Sequence, residues 1–280
     1  MSTSLILRPS GEMTETQAAM LAEMDAEGLQ GFTFKPLKIS LPTGGATGAF
    51  TLSDGDMLKA PVKMIVAVAQ RKRSYYPGKD VSNVPPLCAS ADDVTGRFDP
   101  TSDQVKLALP SPVRHPALNA LDPARAVGPW QCAACPLAQW ESAIDGGRGQ
   151  ACKVRRALLV IVQGWSMPAV LSLPPASVKF WDTFASGMRQ RGQAYFSRWL
   201  EIGLNKATNP KGTPYAHITI KLDAPLTDPE AAEVMQIRAM YGELVRTMNL
   251  DGDEYVDAEQ ASNLDGGVVD GSADSEVDPF

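Results

Sequence analysis

Four cysteines hold the clearest chemistry in this chain: Cys88, Cys132, Cys135 and Cys152. Cys132-Ala-Ala-Cys135 has the two-residue spacing that lets two thiolates reach one tetrahedral zinc from a tight turn. Cys152 follows after sixteen intervening residues, a separation found in zinc ribbons. Cys88, in Pro85-Pro86-Leu87-Cys88, would bring the fourth ligand from a distant loop. Four thiolates with no spare cysteine would close the coordination sphere of one structural Zn2+. A redox pair or an iron–sulfur cluster would use the same residues, although Ala-Ala between the thiols and the lack of a thioredoxin-like context speak against the redox pair. Catalytic zinc needs an open position and a base, and the His-x-Glu of zinc deaminases is missing. His115 is followed by Pro116-Ala117, and Gln131 precedes Cys132. The chain has two histidines, His115 and His217. His115 is the substitute ligand should Cys88 lie too far away.

No other catalytic pattern stands up. The glycine-rich run 146–153 does not have the phosphate-loop spacing and precedes a strand-like segment. The acidic run 251–257 lacks the glycine of a calcium loop. With no nucleophile–base pair in view, the expectation is a protein that is not an enzyme.

The run Gln70-Arg71-Lys72-Arg73-Ser74-Tyr75-Tyr76-Pro77-Gly78-Lys79 mixes cations that attract phosphate with rings on which unpaired bases stack. Arg71, Lys72, Arg73, Tyr75, Tyr76 and Lys79 are the candidate contacts to single-stranded DNA. Lys153, Arg155 and Arg156 flank Cys152 and would extend the basic path. The plain alternative is a solvated strand end. A third mixed cluster, Arg189, Arg191, Tyr195, Phe196, Arg198 and Trp199, reads as core on its aromatic side, because strand alternation must bury one face.

Charge divides the chain. Residues 251–280 hold ten of its 32 acids and none of its 26 bases, which leaves 26 bases against 22 acids, a net of +4, for residues 1–250. A mildly basic body with an acidic tail suits a protein that binds a polyanion and is held off weaker sites by its own tail. The tail ends in Asp274-Ser-Glu276-Val-Asp278-Pro279-Phe280. One terminal aromatic anchor on a disordered acidic segment is the chemistry of a docking peptide. Phe280 would fill an apolar pocket, and Asp274, Glu276 and Asp278 would speed encounter with a basic surface.

These groups need a scaffold. Residues 12–28 read as a short helix. Strands are expected at 32–41, 49–52, 61–76, 156–163 and 169–173. A helix capped by Ser177 should run to residue 191, with Phe180, Phe184 and Met188 on one face. Segments 195–204 and 215–222 form a hairpin. Thr227 or Asp228 should cap a last helix that runs to about residue 248. Residues 77–155 are weakly periodic and contain all four cysteines, so a metal staple is expected there. The fold class expected is mainly β with α: an OB-like Greek-key barrel with a zinc-stapled insertion at 77–155, flanking helices and a tail at 251–280. No apolar run is long enough to span a membrane, and no secretory leader pattern is seen at the N-terminus. The expected location is the cytoplasm of a bacterial cell, the chain being cellular or phage-encoded.

The tail resembles the C-terminal tip of bacterial and phage single-stranded DNA-binding proteins, which end in acids followed by Pro-Phe or Phe. Further residues look like phage-encoded single-stranded DNA-binding proteins: Cys135-Pro136, Trp140-Glu-Ser-Ala, Gly146-Gly-Arg-Gly-Gln-Ala-Cys152-Lys and Leu173-Pro-Pro-Ala-Ser177-Val-Lys. The resemblance covers roughly residues 85–220. It implies coating of single-stranded DNA during replication or recombination, with the tail recruiting partner proteins. The alternative is a zinc-containing transcription or recombination accessory factor that acts through protein contacts. Self-association is left open.

Overall fold

A computed structural model describes residues 36–42, 44–77, 85–109, 113–119, 128–143, 147–209 and 212–248, together with positions 15, 16, 19, 20 and 23. Those five positions are helical, in keeping with a helix within 12–28. Lys79 and the acidic segment with Asp274, Glu276, Asp278, Pro279 and Phe280 lie outside the described residues.

The body is mainly β with helices, built as one mixed, open sheet. Its strands are β1 (Lys38–Ser40), β2 (Ala49–Leu52), β3 (Met57–Lys59), β4 (Val62–Tyr75), β5 (Cys88–Ser90), β6 (Thr95–Phe98), β7 (Trp130–Gln131), β8 (Lys153–Val162), β9 (Ala169–Leu173), β10 (Arg198–Thr208) and β11 (Pro214–Pro225). The order is β3-β2-β1-β9-β8-β4-β5-β6-β7, with the β10–β11 hairpin branching from β4. All pairs are antiparallel except β1 with β9, whose parallel register sets Ser40 beside Ser172. No pairing among the described residues joins β3 to β7 to close a barrel.

The sheet curls instead. Ile39 and Phe50 on one flank share a core with Leu200, Ile202 and Ile218 on the other, around Trp181. Two longer helices cover the faces: α2 (Pro175–Gln190) packs on the first core and α3 (Asp228–Thr247) on the second. A single turn, α1 (Val105–Ala108), precedes them. In β8, Leu158, Val160 and Val162 enter the first core, and Leu159 and Ile161 the second. A strand covered on both faces reads as a continuous apolar run, which is why 157–162 shows no alternation. Each such buried side chain contributes about 1.5–3 kcal/mol.

The long strand β4 organises the molecule. It pairs with β8 along its length, with β10 at its start and with β5 at its end. A bulge between Val66 and Val68 interrupts the β8 register. One extra residue reverses which side chains face which layer. Met64 and Val66 face the first core, yet beyond the bulge Val68 joins the second core and Ala69 packs on the first. The Arg238 guanidinium of α3 donates to the Ala67 carbonyl at the bulge and lies 3.9 Å from the Phe196 ring centre.

Both helix starts have sequence causes. Thr227 caps α3 and Glu230 completes a capping box: Glu230 Oε2 accepts the Thr227 N–H at 2.8 Å. In α2 the cap is Pro174, not Ser177. Pro175 has the fixed φ suited to the first helical position. Ser177 thus falls in the first turn, where its Oγ accepts the Ile218 N–H at 3.2 Å. Among the described residues no helix is long and apolar enough to cross a membrane.

Candidate metal centre and nucleic-acid interface

The described residues between 85 and 152 hold more regular structure than their composition suggests. β5 pairs with β6, and β6 with β7. Short 3-10 turns follow at Cys132–Ala134 and Pro136–Ala138. Together with the end of β4 they enclose a third cluster around Tyr75, Leu87, Phe98 and Leu137.

All four cysteines are buried free thiols, and all four line one small cavity of about 10 Å3 together with His115, Gly96 and Trp130. That volume suits a single small atom. A Cβ added at Gly96 would lie 3.1 Å from Cys88 Sγ and 3.6 Å from Cys132 Sγ, so a side chain on β6 there would press on the Cys88 sulfur. The Cys132–Cys135 turn is closed by the Cys135 N–H on the Cys132 carbonyl at 3.2 Å.

Burial raises the pKa of every thiol, that of Cys152 to about 12, and the neighbouring thiols push Cys88 and Cys152 further in the same direction. Opposing this, the N–H groups of Leu137 and Ala138 bond to Cys135, the Ser90 side chain bonds to Cys132, and the Arg73 charge acts on Cys132, Cys135 and Cys152. Such donors stabilise thiolates, and a divalent cation would displace the protons outright. Donor type, number and cavity size therefore fit one zinc. Among the described residues, however, no three of the Cys, His, Asp and Glu side chains stand as a formed metal centre.

His115 is 1% exposed. It stacks on Phe98 at 4.9 Å between ring centres and meets the edge of Trp130 at 5.4 Å. Its Nδ1 accepts the Ala117 N–H at 3.1 Å, so the neutral ring carries its proton on Nε2. Burial lowers its pKa to about 4. His115 Nε2 has no hydrogen-bond partner, and a ring nitrogen that carries the proton has no lone pair to give a metal.

The expected DNA contacts divide sharply. Lys72 is 1% exposed. The β4 bulge turns it toward α3, where its Nζ donates to the Met248 carbonyl and lies 3.5 Å from that of Arg246. Tyr75 is fully buried in the third cluster, and burial raises its pKa to about 12. Arg155 is 4% exposed. All three side chains are buried in this structure, away from a strand lying on the surface. Arg73 and Arg71 both pair with Asp93, Arg71 at 2.9 Å. Asp93 sits in a left-handed turn between β5 and β6, at φ 66°. Arg73 therefore belongs to the cysteine cluster. Arg156 pairs with Asp182 of α2 at 2.6 Å. Lys153 is exposed, Tyr76 is half-buried, and the Arg71 side chain is 42% exposed.

A more exposed ring lies elsewhere. Trp140, just after the Cys135 turn, is 75% exposed. Its loop is fixed from behind: the Glu141 N–H donates to the Arg148 carbonyl at 3.2 Å, and the Cys152 N–H to the Leu137 carbonyl at 2.8 Å. Arg148 is exposed on the same loop, and Lys153 Nζ comes within 3.7 Å of a Cβ built at Gly149. Trp140-Glu-Ser-Ala was visible in the sequence, but no periodicity marks a loop aromatic as exposed. The only available signal was a tryptophan next to glycine, arginine and cysteine in a segment without an apolar pattern. Compared with family models, curated proteins and solved structures, the chain matches none.

Proposed function

We propose that this chain binds single-stranded DNA without sequence preference, does no chemistry on it, and serves replication or recombination in a bacterial cytoplasm. The observation that carries the reading is Trp140. A large ring exposed to this degree on a braced loop, with Arg148 and Lys153 on the same module, joins a stacking face to phosphate-binding charge. Arg71 and Tyr76 lie on the neighbouring strand β4 and its end.

One structural zinc held by Cys88, Cys132, Cys135 and Cys152 would fix this module. The residues' own part is to present four sulfurs to one cavity and to offset their charge with Arg73. An OB-type relationship draws support from the curl of the sheet around the first core; barrel closure is not needed for the reading. The acidic segment 251–280 would compete with DNA for the basic surface and recruit partner proteins through Pro279-Phe280. A second reading, an accessory factor acting through protein contacts, is favoured by Met235 and Met240, which are 55% and 69% exposed on α3.

Titrating the full chain with single- and double-stranded DNA of the same sequence across salt concentrations tests the proposal. The expected result is preference for single strands, with a log–log salt slope of about 0.7 per phosphate contact. Equal binding to both forms, or none, would favour the protein-contact reading.

A further inference from the structure

Helix α3 turns one face to the second core, through Val234, Ile237 and Val245. Its opposite face is exposed. Ala232, Met235, Gln236, Ala239, Met240 and Glu243 all lie open to solvent, with Met235 at 55% and Met240 at 69%. At about 100° per residue these six form one stripe, about 140° wide, along the helix. Glu243 is its only charged member, whereas the outward face of a surface helix is ordinarily charged and polar. Methionine is also the apolar side chain that adapts most readily to a partner surface.

The stripe is symmetric about the point midway between Ile237 and Arg238. Ala232 and Glu243, Met235 and Met240, and Gln236 and Ala239 lie at equal distances on either side of it. Two copies of α3 packed antiparallel about a two-fold axis at that point would set every stripe residue level with another. Ala239 would face Gln236 of the second copy, a small side chain opposite a larger one. Met235 and Met240 lie on opposite flanks of the stripe. Each would therefore meet its own counterpart, about 7.5 Å further along the axes, a gap that two such long side chains bridge.

Charge fits the same register. Asp228 and Arg246 are exposed at the two ends of α3. They are about five full turns apart, so they share one flank. The two-fold would bring each Asp228 beside Arg246 of the second copy, and the helix dipoles would oppose each other. Within the chain Arg246 meets only Glu243, at 3.5 Å, with both side chains at least half exposed. Such an exposed pair is worth little and yields readily. A stripe whose spacing and end charges both match their own reverse favours a second copy over an unrelated protein.

We infer that α3 is a self-association surface, through which two copies of this chain pair antiparallel about a two-fold axis. The interface is isologous. One helix from each copy makes it small, under about 1,200 Å2, so the dimer is weak and depends on concentration. The inference is independent of strand binding, and its test uses no DNA.

Sedimentation of the full chain over a wide range of protein concentrations should show a reversible monomer–dimer equilibrium. Met240→Glu sets like charges side by side across the axis and should weaken that equilibrium about tenfold or more. The melting temperature at low concentration should not change, because the residue is exposed. Asp228→Arg and Arg246→Asp should each weaken self-association several-fold. An equimolar mixture of these two variants should recover it, since both end pairs then join opposite charges. Mixing would not repair a misfolded chain. A chain that is monomeric throughout, a dimer that Met240→Glu leaves intact, or charge variants that stay apart when mixed would each overturn the assignment.

Discussion

Gly96 is the residue on which the cysteine cluster turns. A Cβ built on it would lie 3.1 Å from Cys88 Sγ and 3.6 Å from Cys132 Sγ. Gly96→Ala should therefore spread the sulfurs, destabilise the module by about 1–3 kcal/mol through overpacking and lower zinc content below the one ion per chain expected of the unaltered protein. Elemental analysis and thermal melts with and without chelator check this; full metal content and an unchanged melt would contradict it. The cysteines themselves were legible, because thiol spacing is written in the sequence. Their supporting groups were not. Arg73, Ser90 and the Leu137 and Ala138 N–H groups reach the thiols only through β4–β5 pairing and a 3-10 turn. That Tyr75 is covered and Trp140 exposed was hidden for a related reason: composition shows that rings are present, and only packing decides which of them is covered.

At the scale of elements, the strands at 49–52 and 169–173, the hairpin from β10 to β11 and the capped helix α3 were legible. Each has a long apolar pattern or a specific stop signal. β5, β6 and β7 are two to four residues long and carry no period to read. The bulge in β4 had the largest consequence. Uninterrupted alternation would have kept Lys72 on the same face as Met64 and Val66. The inserted residue sends it to α3, where it bonds carbonyls at the helix end. The bulge also leaves the Ala67 carbonyl to Arg238. Arg238→Ala should strand that carbonyl, remove the contact with Phe196 and cost about 1–3 kcal/mol. Denaturant melts should show it as a lower midpoint without a change in the single-strand salt slope. An unaltered midpoint would mean that the bulge holds itself.

At the scale of the whole molecule, ten acids in residues 251–280 face a body of net +4. Removing that segment should raise affinity for single-stranded DNA, most visibly at low salt where screening is weakest. Equal affinity of the two chains at low salt would remove competition by the tail from the account. Trp140 lies on the cysteine module with Arg148 and Lys153. This proposed platform carries the functional reading. The most direct measurement is the affinity of the full chain and of Trp140→Ala for an oligothymidylate at several salt concentrations. The account predicts a loss of about 1–3 kcal/mol, with the salt slope and the melting temperature unchanged, because an exposed ring without charge is removed. Undiminished affinity in Trp140→Ala would contradict it.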